Sequence, residues 1–234
     1  MKFALCLSGF TRQYVDCFPY YQKNFLKPLI AAGHQVDVFI HGWHANHDEY
    51  SAIKLLYNAK KIHFEEYTNE IQSKIFGDIP NGPCPLNNKY KNNITGMYYN
   101  IYNCNELKKQ YAVENKITYD ICVHSRLDNI YFIYPSFTVS PNTIYFENCR
   151  SNICDHFYYG DNESMNKVAS IYTLLSTLTN QTHKRKWPGV GAEHLLHYAI
   201  TNYFKLCLKK GKKRGLQHAI YYMCKRHYNK MLTL

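Results

Sequence analysis

The sequence has few acidic residues and no long apolar run. It contains 17 Asp and Glu but 28 Lys and Arg, which gives a formal net charge of +11 at pH 7 over 234 residues. No segment approaches the roughly 20 apolar residues that cross a bilayer, which argues against an integral membrane protein. The initial segment MKFALCLS is followed by no small-residue cleavage site, so we expect no signal peptide and a cytoplasmic protein.

Paired cysteine motifs are also missing. The nine cysteines are odd in number, and none forms a CxxC pair. Cys149 and Cys154, followed by Asp155 and His156, make the one local cluster. Disulfide frameworks and structural zinc sites need more regular spacing than this, so we expect reduced and mostly buried thiols.

Apolar and aromatic residues are plentiful. They make up 46% and 16% of the chain, and Tyr occurs 23 times. This composition excludes disorder, and the length fits one folded domain with a basic appendage. The surplus positive charge predicts an anionic partner, but nucleic acid, an anionic membrane surface and a phosphate-bearing small molecule satisfy it equally.

The order of apolar segments predicts an α/β fold with a mostly parallel central sheet between helices. Strands are predicted at residues 2–7, 36–40, 60–64, 119–124, 143–146 and 157–159, and helical stripes at residues 14–29, 97–111, 165–175 and 195–203. The first strand, helix and strand form a βαβ unit, whose strands should be parallel. Residues 77–93 are predicted as a loop, and residues 205–234 as a basic helical appendage to a domain spanning residues 1–204.

In such sheets a ligand binds beyond the carboxyl ends of the strands, and three predicted ends are polar. The first carries Gly9, Thr11 and Arg12, where turn amides and a guanidinium can bind phosphate, although a plain turn with a surface Arg fits equally well. The second carries His41 and Trp43, for which a packed Trp beside exposed histidines is the simpler interpretation.

The third strand end is the most informative. His124, Arg126 and Asp128 alternate and would share one face of an extended strand. A carboxylate can hold Mg²⁺ or Mn²⁺ there while the Arg neutralises phosphate, a combination that suits a diphosphate leaving group. The alternative is an internal ion pair between Arg126 and Asp128.

Several segments together resemble one family. SGFTRQ, VDVFIHGW, YDICVHSRLD, DHFYYGD and GAEHLL, in order over about residues 2–204, resemble small glycosyltransferases of polysaccharide and lipopolysaccharide biosynthesis, the WavE-like group of bacteria and large DNA viruses. The resemblance implies a GT-A fold, which is Rossmann-like, a nucleotide-diphosphate sugar donor and a divalent metal, Mn²⁺ or Mg²⁺. For a viral protein it implies the host cytoplasm.

The resemblance also implies residue roles. Gly9, Thr11, Arg12 and Arg126 would bind the donor nucleotide, and Asp128 would bind the metal at the family's aspartate-x-aspartate motif, where this chain has Arg126 as the first residue.

Two further acids would lie on the acceptor side. Asp155 and Glu193 would serve as catalytic base or hydrogen-bond a sugar hydroxyl, while a turn cap and a helix-dipole partner are the structural alternatives.

The sequence therefore predicts a glycosyltransferase that moves a sugar to a glycan or lipid-linked acceptor. The alternative is a nucleic-acid-binding or anionic-surface-binding module without catalysis, suggested by KKGKKR and CKRHYNK in the tail. That tail also predicts peripheral contact with anionic lipid. The isolated arginines at strand ends suit a diphosphate better than nucleic acid.

Overall fold

A computed structural model of the chain describes residues 1–43, 46–66, 68, 70–71, 88–131, 137–149, 152–178, 192–210 and 220–222. The strands are β1 (Lys2–Phe10), β2 (Gln35–Trp43), β3 (Ala59–Glu65), β4 (Ile121–Arg126), β5 (Asn129–Tyr131), β6 (Thr143–Cys149), β7 (Asn152–Gly160), β8 (Cys207–Lys210) and β9 (Ile220–Tyr222). The α-helices are α1 (Tyr14–Tyr21), α2 (Lys27–Ala31), α3 (His47–Tyr57), α4 (Asn88–Asn115), α5 (Asn162–Ala169) and α6 (Ala192–Tyr198). Short π-helical or 3₁₀ segments extend them at Gln22–Leu26, Ser170–Leu174 and Ala199–Tyr203.

One mixed sheet organises the molecule. Seven of the described strands pair in the order β3-β2-β1-β4-β7-β6-β8. The pairs from β3 to β4 are parallel, as is the pair of β6 with β8, while β7 is antiparallel to both of its neighbours. Among these strands only β7 is therefore reversed. The prediction of an α/β fold with a mostly parallel sheet is confirmed.

Side chains alternate between the two faces of the sheet and pack into two hydrophobic cores, one on each face. Phe3, Leu5 and Leu7 of β1 pack with the segment from α1 to α3. Ala4 and Cys6 of the same strand point the other way, toward α4, α5 and α6. The sheet is thus covered by helices on both faces, because each face must remove its apolar side chains from water.

The predicted βαβ unit is present. The stripe on the first helical segment is confirmed by the buried side chains of Tyr21, Phe25 and Leu29. The segment ends at Gly33, whose φ of 75° favours glycine. β1 and β2 pair in parallel along their length, as predicted.

The helix α5 is capped at its start. Asp161 accepts a hydrogen bond from the backbone N–H of Ser164, 2.9 Å away, and so caps α5.

Two sequence-based predictions were wrong. The loop predicted at residues 77–93 is already helical from Asn88, where α4 begins, and the part before residue 88 lies outside the described residues. The tail was predicted to be helical, but Cys207–Lys210 and Ile220–Tyr222 are strands. The reason at the first strand is packing: β8 pairs with β6, and Leu206 and Leu208 cover the core on the α4 face. The remainder of the tail lies outside the described residues.

The expected state of the cysteines is confirmed where side chains are described. Cys6, Cys17, Cys104 and Cys122 are free and buried, whereas Cys207 is free and exposed. Of the helices that the structure describes, none is both long and apolar enough to cross a membrane.

Candidate functional site

The strand order reverses beside β1. β2 and β3 continue the sheet on one side of β1, whereas the chain returns on the other side as β4. At such a reversal the connections leave a crevice beyond the carboxyl ends of the two strands, which is where ligands bind in open α/β sheets. Arg12 follows β1, and Arg126 ends β4, so both predicted arginines lie at this crevice.

Arg126 and Asp128 form a two-point ion pair. The Nε and Nη2 atoms of Arg126 donate to Oδ1 and Oδ2 of Asp128 at 2.8 and 2.7 Å. Arg12 Nη2 approaches the same Oδ2 at 3.5 Å, and its guanidinium lies 4.9 Å from the centre of the Phe10 ring. The Arg12 side chain is 62% exposed and that of Asp128 only 6%. The structure therefore contains the internal ion pair, with one outward-facing guanidinium on its rim.

Two glycines let the carboxyl ends of β1 and β2 approach closely. Gly9 has a φ of 115°, a conformation that other residues rarely adopt. Gly42 is its partner in the parallel register, and a Cβ atom at Gly42 would overlap the carbonyl oxygen of Gly9. Thr11, directly after β1, is 8% exposed. The two strand ends can pack this closely because Gly42 has no Cβ atom, and the backbone at Gly9 can adopt its conformation because glycine tolerates it.

The reversed strand β7 brings Asp155 and His156 to the same edge as the end of β4. His156 Nδ1 lies 3.5 Å from Arg126 Nη1, and His156 Nε2 lies 3.4 Å from Asp155 Oδ1. Burial raises the pKa of Asp155, although the positive charge of Arg126 works against this. Burial and Arg126 lower the pKa of His156 to about 4. This imidazole is therefore neutral near pH 7, beside a carboxyl whose proton affinity is increased.

Glu193, at the start of α6, interacts electrostatically with this group. Its negative charge acts on His156 and on the buried Tyr98. The Tyr98 hydroxyl donates to the carbonyl of Ala192 at 2.8 Å, which ties the start of α6 to α4. The two predicted catalytic acids, Asp155 and Glu193, thus belong to the same electrostatic neighbourhood as Arg126.

The residues around Asp128 do not fit a divalent cation. Both carboxylate oxygens accept hydrogen bonds from Arg126, and the second guanidinium, Arg12, lies against one of them. A hard cation needs several free oxygen ligands, and here its approach meets the guanidiniums of Arg126 and Arg12. The arrangement suits an anion better than the Mn²⁺ or Mg²⁺ that the resemblance implies.

A different group can hold a metal ion. Within the described part of the chain, His41, His63 and Glu65 are the one set of three His, Cys, Asp or Glu side chains whose ligand atoms all lie within 4.8 Å of one another. From the sequence, exposed histidines were the simpler interpretation, yet the His41 side chain is only 2% exposed. Packing of Trp43 is confirmed by its burial, while His44 lies outside the described residues.

His124, the first polar residue in β4, is not part of the crevice. It is buried, with its ring 4.6 Å from the ring of Tyr158. Burial, helped by the positive charges of His156 and Arg126, lowers its pKa to about 3. We assign it to the core.

No protein-family model matches this chain, and no curated protein matches it.

Proposed function

We propose that this protein is a nucleotide-sugar-dependent glycosyltransferase. The observation that carries the proposal is the position of Arg12 and Arg126 on one carboxylate, at the reversal of strand order between β1 and β4. That crevice is where an open α/β sheet binds a nucleotide, and paired guanidiniums match the oxygen geometry of a diphosphate.

Electrostatics support an anionic ligand at this place. Asp128 sets one carboxylate against the two guanidiniums of Arg126 and Arg12, and Arg12 presents its positive charge outward. Asp128 holds Arg126 by two hydrogen bonds, so the guanidinium plane is fixed before a ligand arrives. A preorganised cation stabilises charge that develops during reaction without the cost of reorienting.

In the proposed reaction, the bond between the anomeric carbon and the β-phosphate oxygen breaks, and its electron pair leaves with the diphosphate. An acceptor hydroxyl oxygen forms the new bond to the anomeric carbon and loses its proton. Arg12 and Arg126 stabilise the leaving diphosphate, the role that the family resemblance gives to a metal ion as well. The acceptor is a glycan or a lipid-linked sugar, as the resemblance implies.

Asp155 is the favoured base if the reaction inverts the anomeric centre. Burial raises its pKa, which makes the ionised form a stronger base than an exposed Asp. Glu193, at the start of α6, is the second candidate, and its place near His156 suits a hydrogen bond to a sugar hydroxyl.

The finer fold assignment is part of this proposal. A sheet that is parallel on one side and carries one reversed strand beside β4 is compatible with a GT-A domain, and the crevice lies where that domain would bind its donor. Contact of the tail with anionic lipid near a lipid-linked acceptor remains a prediction. The nucleic-acid alternative depends on the same tail, most of which lies outside the described residues.

The test is a thermal-shift screen of the purified chain against nucleotides, nucleotide sugars and oligonucleotides, each with and without Mn²⁺. We expect one nucleoside-diphosphate sugar to raise the melting temperature, also without Mn²⁺. Replacement of Arg12 by Ala should weaken that ligand about tenfold or more, the usual scale for loss of a charge-assisted phosphate contact.

Lys54→Ala is the control, because Lys54 is an exposed cation on α3. Asp155→Asn and Glu193→Gln should keep donor binding, and the one that removes the base should slow transfer about 100-fold or more. Stabilisation by oligonucleotides alone would sink the enzyme proposal in favour of the nucleic-acid alternative.

A further inference from the structure

A second polar group lies on the same face of the sheet, two strands from Arg126. His41 of β2 pairs with Ser8 of β1 on one side and with His63 of β3 on the other, while Ser8 pairs with Arg126. Glu65 follows His63 by two residues and therefore points to the same face. Trp43 occupies the matching position on β2, with its ring stacked 5.5 Å from that of Tyr99.

The hydrogen bonds around His41 orient its ring for a ligand. The side-chain amide of Asn100 donates to the carbonyl of Gly96 at 2.9 Å, so its Oδ1 faces His41 Nδ1, 2.8 Å away. An Nδ1–H group donating to that oxygen leaves Nε2 as the available ligand atom. Nε2 points at Oε1 of Glu65, 3.2 Å away, so two electron-rich atoms face each other where a proton or a metal ion belongs.

Glu65 and His63 complete the arrangement. The Tyr99 hydroxyl donates to Glu65, 2.9 Å from Oε1 and 3.1 Å from Oε2, and holds the carboxylate in place. His63 Nε2 lies 3.8 Å from the same Oε1, and the His63 side chain is 57% exposed. The group is thus oriented from the inside by Asn100 and Tyr99 and is open to solvent on the His63 side.

We propose that His41, His63 and Glu65 bind Zn²⁺ or a chemically similar transition-metal ion. Two imidazoles and one carboxylate are the ligand set of open zinc sites, and imidazole favours Zn²⁺, Co²⁺ and Ni²⁺ over Mg²⁺ or Ca²⁺. Three protein ligands leave a further coordination position on the exposed side. A ligating His that donates its other N–H to a carbonyl, as His41 does to Asn100, is the usual support of such a site.

The site is independent of the proposed glycosyltransferase activity. It uses none of the residues of the arginine crevice, and its metal binding is measured without a nucleotide sugar. If the experiment on one proposal fails, the other proposal is unaffected, because it is tested by a separate measurement.

The experiment titrates Zn²⁺ into the metal-free 234-residue protein by calorimetry, and Co²⁺ with detection of its visible absorption. We expect one tight equivalent, a higher melting temperature in excess Zn²⁺, and release of protons on binding. His63→Ala and Glu65→Gln should each weaken this equivalent at least about tenfold. His63 is mostly exposed, so its replacement leaves the core intact.

His47→Ala is the matched control. His47 is 93% exposed on α3, and its loss should leave the affinity unchanged. The chain has 12 His and nine Cys, so other residues can bind Zn²⁺ weakly. Comparing His63→Ala with His47→Ala distinguishes such binding from binding at the proposed site. If Zn²⁺ gives no tight equivalent, or if His63→Ala and His47→Ala bind it equally, the proposal is wrong.

Discussion

At the scale of single residues, the pair of Arg126 and Asp128 is both the most informative feature and the one for which the sequence left two interpretations open. The letters S-R-L-D allow a metal-binding carboxylate or an ion pair. β4 ends at Arg126, and the turn after it brings Asp128 back against the guanidinium. That local geometry depends on where the strand ends, which the spacing of charged residues does not determine.

Asp128→Asn is expected to lower the free energy of unfolding by about 3 kcal/mol. The substitution leaves Arg126, only 16% exposed, without its carboxylate, and such a group is costly to bury uncompensated. Urea unfolding measures the difference. Glu163→Gln is the control: Glu163 pairs with Lys167 on the surface of α5, where a pair contributes about 0.3–0.5 kcal/mol. Equal losses in the two variants would contradict a buried ion pair.

His124 predicts a specific loss of stability in acid. Its pKa falls from the ordinary 6.5 to about 3 on folding, chiefly through burial, so the unfolded chain binds the proton more strongly. Stability is therefore lost as the pH falls through this window, at up to about 1.4 kcal/mol per pH unit.

His124→Leu removes the titrating ring from the core. Between about pH 6.5 and about pH 4.5 the wild-type chain should lose up to about 2 kcal/mol more than this variant in urea unfolding. Titrating groups that do not interact with His124 are common to both proteins and cancel in the difference. The exposed His47→Ala variant should follow the wild type, and a His124→Leu variant that does the same would refute the assignment.

At the scale of elements, most strands were predictable because they are runs of apolar residues, but their directions and register were not. The pairing of β2 with β3 shifts after Val38, so that Phe39 pairs with Lys61 and residue 60 is skipped. Without this bulge His41 would pair with Ile62, and His63 would point to the other face. The proposed metal-binding group thus depends on an irregularity in strand pairing that the sequence does not indicate.

α3 was missed for a different reason. Its inward positions, Ile53 and Tyr57, are interrupted by Leu55 and Leu56, which are 83% and 37% exposed and obscure the helical stripe. The capping box of Asn46 and Glu49 was the available signal.

Two glycines should respond in opposite ways to the same substitution. Gly42→Ala places a Cβ atom on the Gly9 carbonyl and against the Phe64 ring, so we expect a loss of about 2 kcal/mol. Gly96 lies inside α4, and a Cβ atom there meets the Trp43 ring at 3.8 Å, an ordinary contact. Gly96→Ala should therefore stabilise by about 0.5–1 kcal/mol. Thermal melts of the two variants test this prediction. If both substitutions raise the melting temperature, or both lower it, the described geometry around the two glycines is wrong.

At the scale of the whole molecule, the carboxyl-terminal part of the described chain completes the sheet. β8 forms an edge of the sheet against β6, and Leu206 is buried at its start. The division at residue 204, drawn from the basic composition of residues 205–234, therefore cuts into the core. Composition shows where charge accumulates along the chain. The edge of the sheet, however, depends on a few apolar residues that lie among the lysines, Leu206 and Leu208.

A chain that ends at residue 204 is expected to be less stable than one that ends at residue 210. Both shortened chains lack the basic segment KKR at residues 212–214 and β9, and only the chain that ends at residue 210 retains β8. Loss of the buried Leu206 alone should cost about 2 kcal/mol, to which the lost pairing with β6 adds. The comparison uses melting temperature and circular dichroism, and identical stability would mean that β8 contributes nothing to the fold.

Neighbouring tyrosines on α4 reach both proposed sites. Tyr98 donates to the start of α6, where Glu193 lies, and Tyr99 donates to Glu65. One helix thus carries a contact to each proposed site, so the two sites share a structural element. Thermodynamic linkage then demands symmetry: by whatever factor Zn²⁺ changes the affinity for the nucleotide sugar, the nucleotide sugar must change the affinity for Zn²⁺.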